Sequence, residues 1–207
     1  GDVYKRQARD GLVTRHRGHG TTVGRPAPTT TENHVEQGEH FDSRFTGFFG
    51  QLTGFGHRVH SDILEFGLVR ANTSVAGALR VDRHSEVLHM SRRRYVDGNV
   101  HQLSRTWFGP DRFPGIETED FSEQSLYGCL EEKYGVSIAQ QDLSVSLRVP
   151  SRDEARTLGI TDRQPRLSLQ ITAYSSDGEP FLYGESVFVS TDAHIYFTAG
   201  GTRPENP

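Results

Sequence analysis

Two strand-length runs, Glu86 to Val96 and His101 to Phe108, flank the dipeptide Asp97-Gly98. Both central residues of a two-residue type I′ turn need positive φ, and Asp-Gly supplies them. An antiparallel hairpin is therefore fixed here, and it needs further strands or a helix over its apolar face. Tyr95 to Gly98 is matched weakly by Tyr174 to Gly178, with one extra residue. That match predicts a second, related hairpin built from Arg166 to Tyr174 and Phe181 to Val189.

Around the hairpins, a strand is expected over 61–69 and a short helix over 73–79, where Val75, Ala78 and Leu79 share one face. Ser122 to Tyr134 reads as the clearest helix. Ser122 is its expected cap, Leu126, Cys129 and Leu130 form its apolar stripe, and Gly135 ends it. A strand follows over 138–149. Ser151 and Glu154 then have the spacing of a capping box and open a helix ending near Gly159. This order predicts an α+β fold, an antiparallel sheet with small helices on one face.

The 22 Gly and 9 Pro favour turns and strands over long helices, while 12 Phe and 7 Tyr supply a core. Cys129 is the single cysteine, which excludes an internal disulfide or a Cys-rich zinc site and makes a reducing, cytoplasmic compartment the expected one. No apolar run is long enough to span a bilayer, so no membrane partner is expected.

The net charge of −4 conceals an asymmetry: residues 1–30 hold six Lys or Arg against two Asp. The acidic remainder is a poor general nucleic-acid binder, whereas the basic end is a candidate contact. Within that end, Leu12 to Arg15 and Thr21 to Val23 read as short strands joined by His16 to Gly20. The expected organisation is a hairpin unit over 1–24, a linker over 25–40, a main domain over 41–199 and a disordered tail over 200–207.

Candidate chemistry centres on Leu88 to Val96. Strand alternation puts Leu88, Met90, Arg92, Arg94 and Val96 on one face, so two arginines continue an apolar row. Guanidinium groups in such a row need an anionic partner, either a protein carboxylate or the phosphate or carboxylate of a bound molecule. Alternation does not choose between them. Ser125 and Tyr127 add hydroxyls at a helix start, an anion-binding arrangement or ordinary capping and packing. Ten histidines form no HExxH or compact cluster, and no GxSxG, GxxxxGK[ST] or GxGxxG occurs. No metal, cofactor or catalytic residue is therefore expected.

The run Gly11-Leu12-Val13 through Arg15, Arg17, Gly18, Gly20, Thr21 and Val23 resembles the wing of GntR-type winged-helix regulators. Residues 45–197 resemble the effector domain of the HutC branch, the UTRA domain. The resemblance rests on Arg92-x-Arg94 before Asp97-Gly98, Ser125-Leu126-Tyr127, Tyr134-Gly135, Leu158-Gly159-Ile160, Gly178-x-Pro180 and Asp192 to Phe197. It implies a chorismate-lyase-like fold in a homodimeric bacterial transcription regulator, often a repressor, that binds operator DNA and a small anionic metabolite such as a sugar phosphate.

By the same resemblance, Arg92, Arg94, Ser125 and Tyr127 hold the anion, and Ser104, Tyr183 and Phe188 complete the effector site. Ser104 stands where many members carry a ligand-contacting Glu. Arg15, Arg17, His19 and Thr21 are the wing's DNA contacts. A winged helix needs three helices before its wing, and nine residues cannot hold them, so the hairpin is expected to be the remnant of a truncated head. The fold also admits a lyase-like enzyme or a ligand-free dimerisation module.

Overall fold

The computed structural model describes residues 13–15, 21–23, 38–41, 52–54 and 56–197. The chain divides into two compact units, Gly1–Glu36 and Gln37–Pro207. In the first, β1 (Val13–Arg15) pairs antiparallel with β2 (Thr21–Val23), so the hairpin expected from sequence forms and Arg15 stands opposite Thr21. Arg17, His19 and the 200–207 tail lie outside the described residues.

In the second unit, β3 (Gly38–Phe41) pairs in parallel with β10 (His194–Phe197). The end of the stretch expected to be a linker thus belongs to a strand. Its partner lies more than 150 residues away, too far for any local pattern to announce the pairing.

The body is a six-stranded antiparallel sheet of β4 (Val59–Arg70), β5 (Glu86–Val96), β6 (Asn99–Phe108), β7 (Gln140–Arg148), β8 (Arg166–Tyr174) and β9 (Pro180–Phe188). Its order, β4-β5-β6-β9-β8-β7, is symmetric about the β6–β9 contact. A helix follows the first strand of each half: α1 (Thr73–Leu79) after β4, and α3 (Arg152–Leu158) after β7. The two hairpins matched in sequence, β5–β6 and β8–β9, therefore occupy equivalent places. At the first turn Asp97 and Gly98 have φ of 50° and 83°, as a type I′ turn requires. The Asp97 carboxylate also accepts from the Arg58 backbone N–H at 2.9 Å and contacts His57 Nδ1 at 2.7 Å.

Both faces of this sheet are covered, not one as expected. On one face α2 (Leu126–Tyr134) packs Leu126, Cys129 and Leu130 against Met90, Phe108, Ala173 and Leu182, with Phe113, Ile116 and Phe121 closing the cluster. On the other, α1 sets Val75, Ala76 and Leu79 on Val87, Trp107 and Tyr183, while Leu158 of α3 meets Leu103 and Val187. Alternation along β5 and β6 offers apolar side chains to both sides, and each side needs a layer.

The Ser151 capping box forms in full, and Gly159 ends α3 at φ 69°. The cap of α2 is Ser125, not Ser122: the Ser122 N–H already bonds Asp120 Oδ1 at 2.9 Å, and its carbonyl accepts from Ser61 N–H at 2.7 Å. Those bonds hold Ser122 in the loop, and the helix starts one turn later.

Candidate functional site

The β5–β6 register pairs Arg92 with Ser104 and Arg94 with Gln102; the β6–β9 register pairs Ser104 with Ser186 and Gln102 with Phe188. Directly paired residues share a face, so these six side chains lie on the α2 side of the sheet. On β4, Ser61 stands opposite Arg94. Both arginines are buried, Arg92 at 3% exposure and Arg94 at 5%. The alternation seen in the sequence thus puts both guanidinium groups below the protein surface.

Arg92 makes no hydrogen bond or ion pair with any described residue, and its buried Nε lacks a partner. Its pKa is lowered to about 10, because burial penalises the charged form. The group still carries its charge at neutral pH. Tyr127, in the first turn of α2, comes close enough to feel both arginines, and Gln141 hydrogen-bonds it. Burial pushes its phenol up to about 12, more than the arginine charges pull it down, so it is a neutral hydroxyl. Ser125 accepts from Gly128 N–H at 3.2 Å through its side-chain oxygen, which leaves its own O–H free to donate elsewhere.

Phe188 lies on the arginine face, its ring 5.5 Å from His101 in an edge-on contact. Tyr183 does not join the group. It lies on the opposite face, with its ring stacked 5.6 Å from Trp107 and its hydroxyl donating to Glu185 at 2.8 Å. Residues 183 and 188 differ by an odd number, so one regular strand cannot show both to the same side. That parity was available in the sequence.

The structure also adds two residues that sequence reasoning passed over. Gln102, 2% exposed, faces Arg94, and its Oε1 has no hydrogen-bond partner. His101 occupies the β-bulge opposite the Arg94–Tyr95 step. Burial, followed by the Arg94 charge, lowers its pKa to about 4. Only the strand register, which the sequence does not display, brings these residues to the arginines.

The other charged clusters are internally matched. Glu154 accepts from Arg148 at 2.7 and 2.9 Å, from Arg105 at 2.8 Å and from the Ser151 backbone at 2.8 Å. These donors, Arg148 foremost, hold its carboxyl well below the usual range. Arg93 pairs with Asp62 at 2.7 Å on the face away from Arg92. Among the described residues, no three His, Cys, Asp or Glu side chains gather as metal ligands would, and no helix is long and apolar enough to cross a membrane. A cleft of about 730 Å³ opens at the far end of the arginine face, over Phe66, Leu88 and Phe108. None of the predicted ligand residues lines it.

The sequence profile of the UTRA domain matches residues 55–194, from just before β4 to the start of β10. The chain belongs to the UTRA domain family. Two regulators share this domain's sequence at moderate identity. The mannosyl-D-glycerate transport/metabolism system repressor MngR of Escherichia coli is 27% identical over 149 residues, 69% of this chain and 62% of its own length. The HTH-type transcriptional regulator GmuR of Bacillus subtilis is 25% identical over 191 residues, 90% of this chain and 77% of its own.

The crystal structure of PhnF from Mycobacterium smegmatis superposes with a TM-score of 0.72 at 21% identity, covering 97% of this chain and 84% of PhnF. The α+β, chorismate-lyase-like fold expected of a UTRA domain is the fold found. The chain resembles GntR-family transcription regulators, and these relatives are regulators rather than enzymes.

Proposed function

We propose that the UTRA domain of this chain is the sensor of a ligand-responsive transcription regulator, a homodimeric repressor whose effector is a small anionic metabolite. One observation carries the reading: Arg92 is buried at 3% exposure with no carboxylate partner among the described residues. A ligand-free dimerisation module would call for such a partner. A phosphate or carboxylate entering beside Arg92 and Arg94 would receive charge-assisted hydrogen bonds from guanidinium groups already desolvated and held in place. Tyr127 and Ser125 would donate hydroxyls from the start of α2, while Ser104 and Phe188 would form the floor.

An anion in this position would tie β5 to α2, and that difference between free and bound states is what a regulator transmits. The pairing of β1 with β2 in this basic N-terminal segment fits a wing in which Arg15, Arg17, His19 and Thr21 meet operator DNA. A wing alone contributes mainly phosphate contacts, which position a protein without specifying sequence.

The test is a thermal-unfolding screen of the chain against sugar phosphates, carboxylated metabolites and neutral sugars, repeated with Arg92→Ala and Arg94→Ala. One anionic class should raise the transition in the wild type and in neither variant. Equal shifts in wild type and both variants would place binding elsewhere.

A further inference from the structure

We propose that Gln102 is the specificity-determining residue of this site, its side-chain carbonyl accepting from a hydroxyl that the anionic ligand carries a few bonds from its charge. The inference rests on the anion reading of Arg92 and Arg94, and it extends that reading from the charge of the ligand to its shape.

Two buried side chains on one face have unsatisfied atoms of opposite kind. Arg92 Nε is a donor without an acceptor, and Gln102 Oε1 is an acceptor without a donor. They do not satisfy each other, although Gln102 stands directly opposite Arg94, one alternation step from Arg92. Side chains so related have Cβ atoms roughly 5 to 8 Å apart, the span of a small metabolite and not of one bond. Leaving a buried carbonyl unmade costs about 1–3 kcal/mol, and buried side-chain acceptors are seldom left so.

The surroundings hold the carbonyl in place. Gln102 is 2% exposed and flanked by Phe188 across the β6–β9 register. The His101 ring meets Phe188 edge-on at 5.5 Å, which gives the ligand a flat, weakly polar wall. Neighbouring Ser61, Ser104 and Ser186 on the same face have short side chains. Gln102 is therefore the side chain on β6 with an acceptor long enough to reach a group that the arginines do not hold. The complementary ligand bears a phosphate or carboxylate at one end and a hydroxyl donor beside it. Polyol phosphates and hydroxy acids both fit that description.

Matched pairs separate the sources and the role. Isothermal titrations of the full chain would use glycerol 3-phosphate against propyl phosphate, and glycerate against propionate. In the pair carrying the correct anion, the hydroxylated member should bind about tenfold more tightly to the wild type. Gln102→Leu should bring that ratio to about 1 while the propyl or propionate partner still binds. Gln102→Met, unbranched and of similar length, repeats the test in a side chain that fills the same space. Gln102→Glu should abolish binding of both members, because its carboxylate would close on Arg94.

A tenfold preference that survives in Gln102→Leu and Gln102→Met would overturn the proposal. So would anion binding without any preference in the wild type, a result that leaves the anion site standing. Absence of binding by all four compounds to the wild type would overturn the anion reading itself, and the role of Gln102 with it.

Discussion

A guanidinium group held at 3% exposure with no partner for Nε is expensive, since burying an uncompensated charge costs several kcal/mol. Other buried charges in this domain are matched. Glu154, at 4% exposure, is surrounded by donors from Arg105, Arg148 and Ser151. Glu154→Gln should lower stability by about 2 kcal/mol in urea unfolding, the partly exposed arginines regaining water and limiting the loss. His101 makes a separate contribution with a definite sign. Its pKa falls from 6.5 to about 4 on folding, mainly through burial and then through Arg94. The unfolded chain therefore binds more protons between those values. Stability is complete above about pH 6.5 and falls as the pH drops toward 4, by about 2–3 kcal/mol for this group. Urea midpoints of wild type and His101→Phe at pH 7 and pH 4.5 should show a smaller acid loss in the variant. At this scale the arginine pair was legible, because alternation needs only the strand itself. Gln102 was not, because its neighbours are set by a register between strands, and Tyr183 was misplaced although parity alone separated it from Phe188.

The elements repeat a rule of local chemistry wherever the sequence reads clearly. Asp97-Gly98 makes the turn it promises, and Ser151 with Glu154 makes both bonds of the capping box. Where two serines competed for one helix start, the side chain of Asp120 decided, by taking the Ser122 N–H. Caps are testable singly. Ser125→Ala removes the acceptor for Gly128 N–H and should cost about 1 kcal/mol in thermal unfolding, with a further loss of anion response if its O–H also serves the ligand. Gly98→Val, at φ 83°, should destabilise the β5–β6 hairpin by about 1–2 kcal/mol, measured the same way. What no element announces is pairing over long distances. The parallel contact of Gly38–Phe41 with His194–Phe197 depends on the whole intervening sheet, and so does the division of helices between two faces.

For the molecule as a whole, two similar strand–helix–hairpin halves meet at β6 and β9, and Ser104 and Gln102 lie on that central strand pair opposite Ser186 and Phe188. The arginine face is thus built from the middle of the sheet and roofed by α2, whose apolar stripe is anchored on Met90, two residues from Arg92. On the proposed reading, an anion entering between the sheet and α2 would act mainly on the position of α2. Replacing Arg92 tests the central claim most directly. Arg92→Met preserves length and apolar stem but removes the charge. Thermal unfolding of both chains, with and without a saturating anionic effector from the screen, should show the variant at least as stable as wild type without ligand and unresponsive to it. A variant several degrees less stable than wild type that still responds to the anion would show Arg92 to be a structural charge, and the sensor reading would fail.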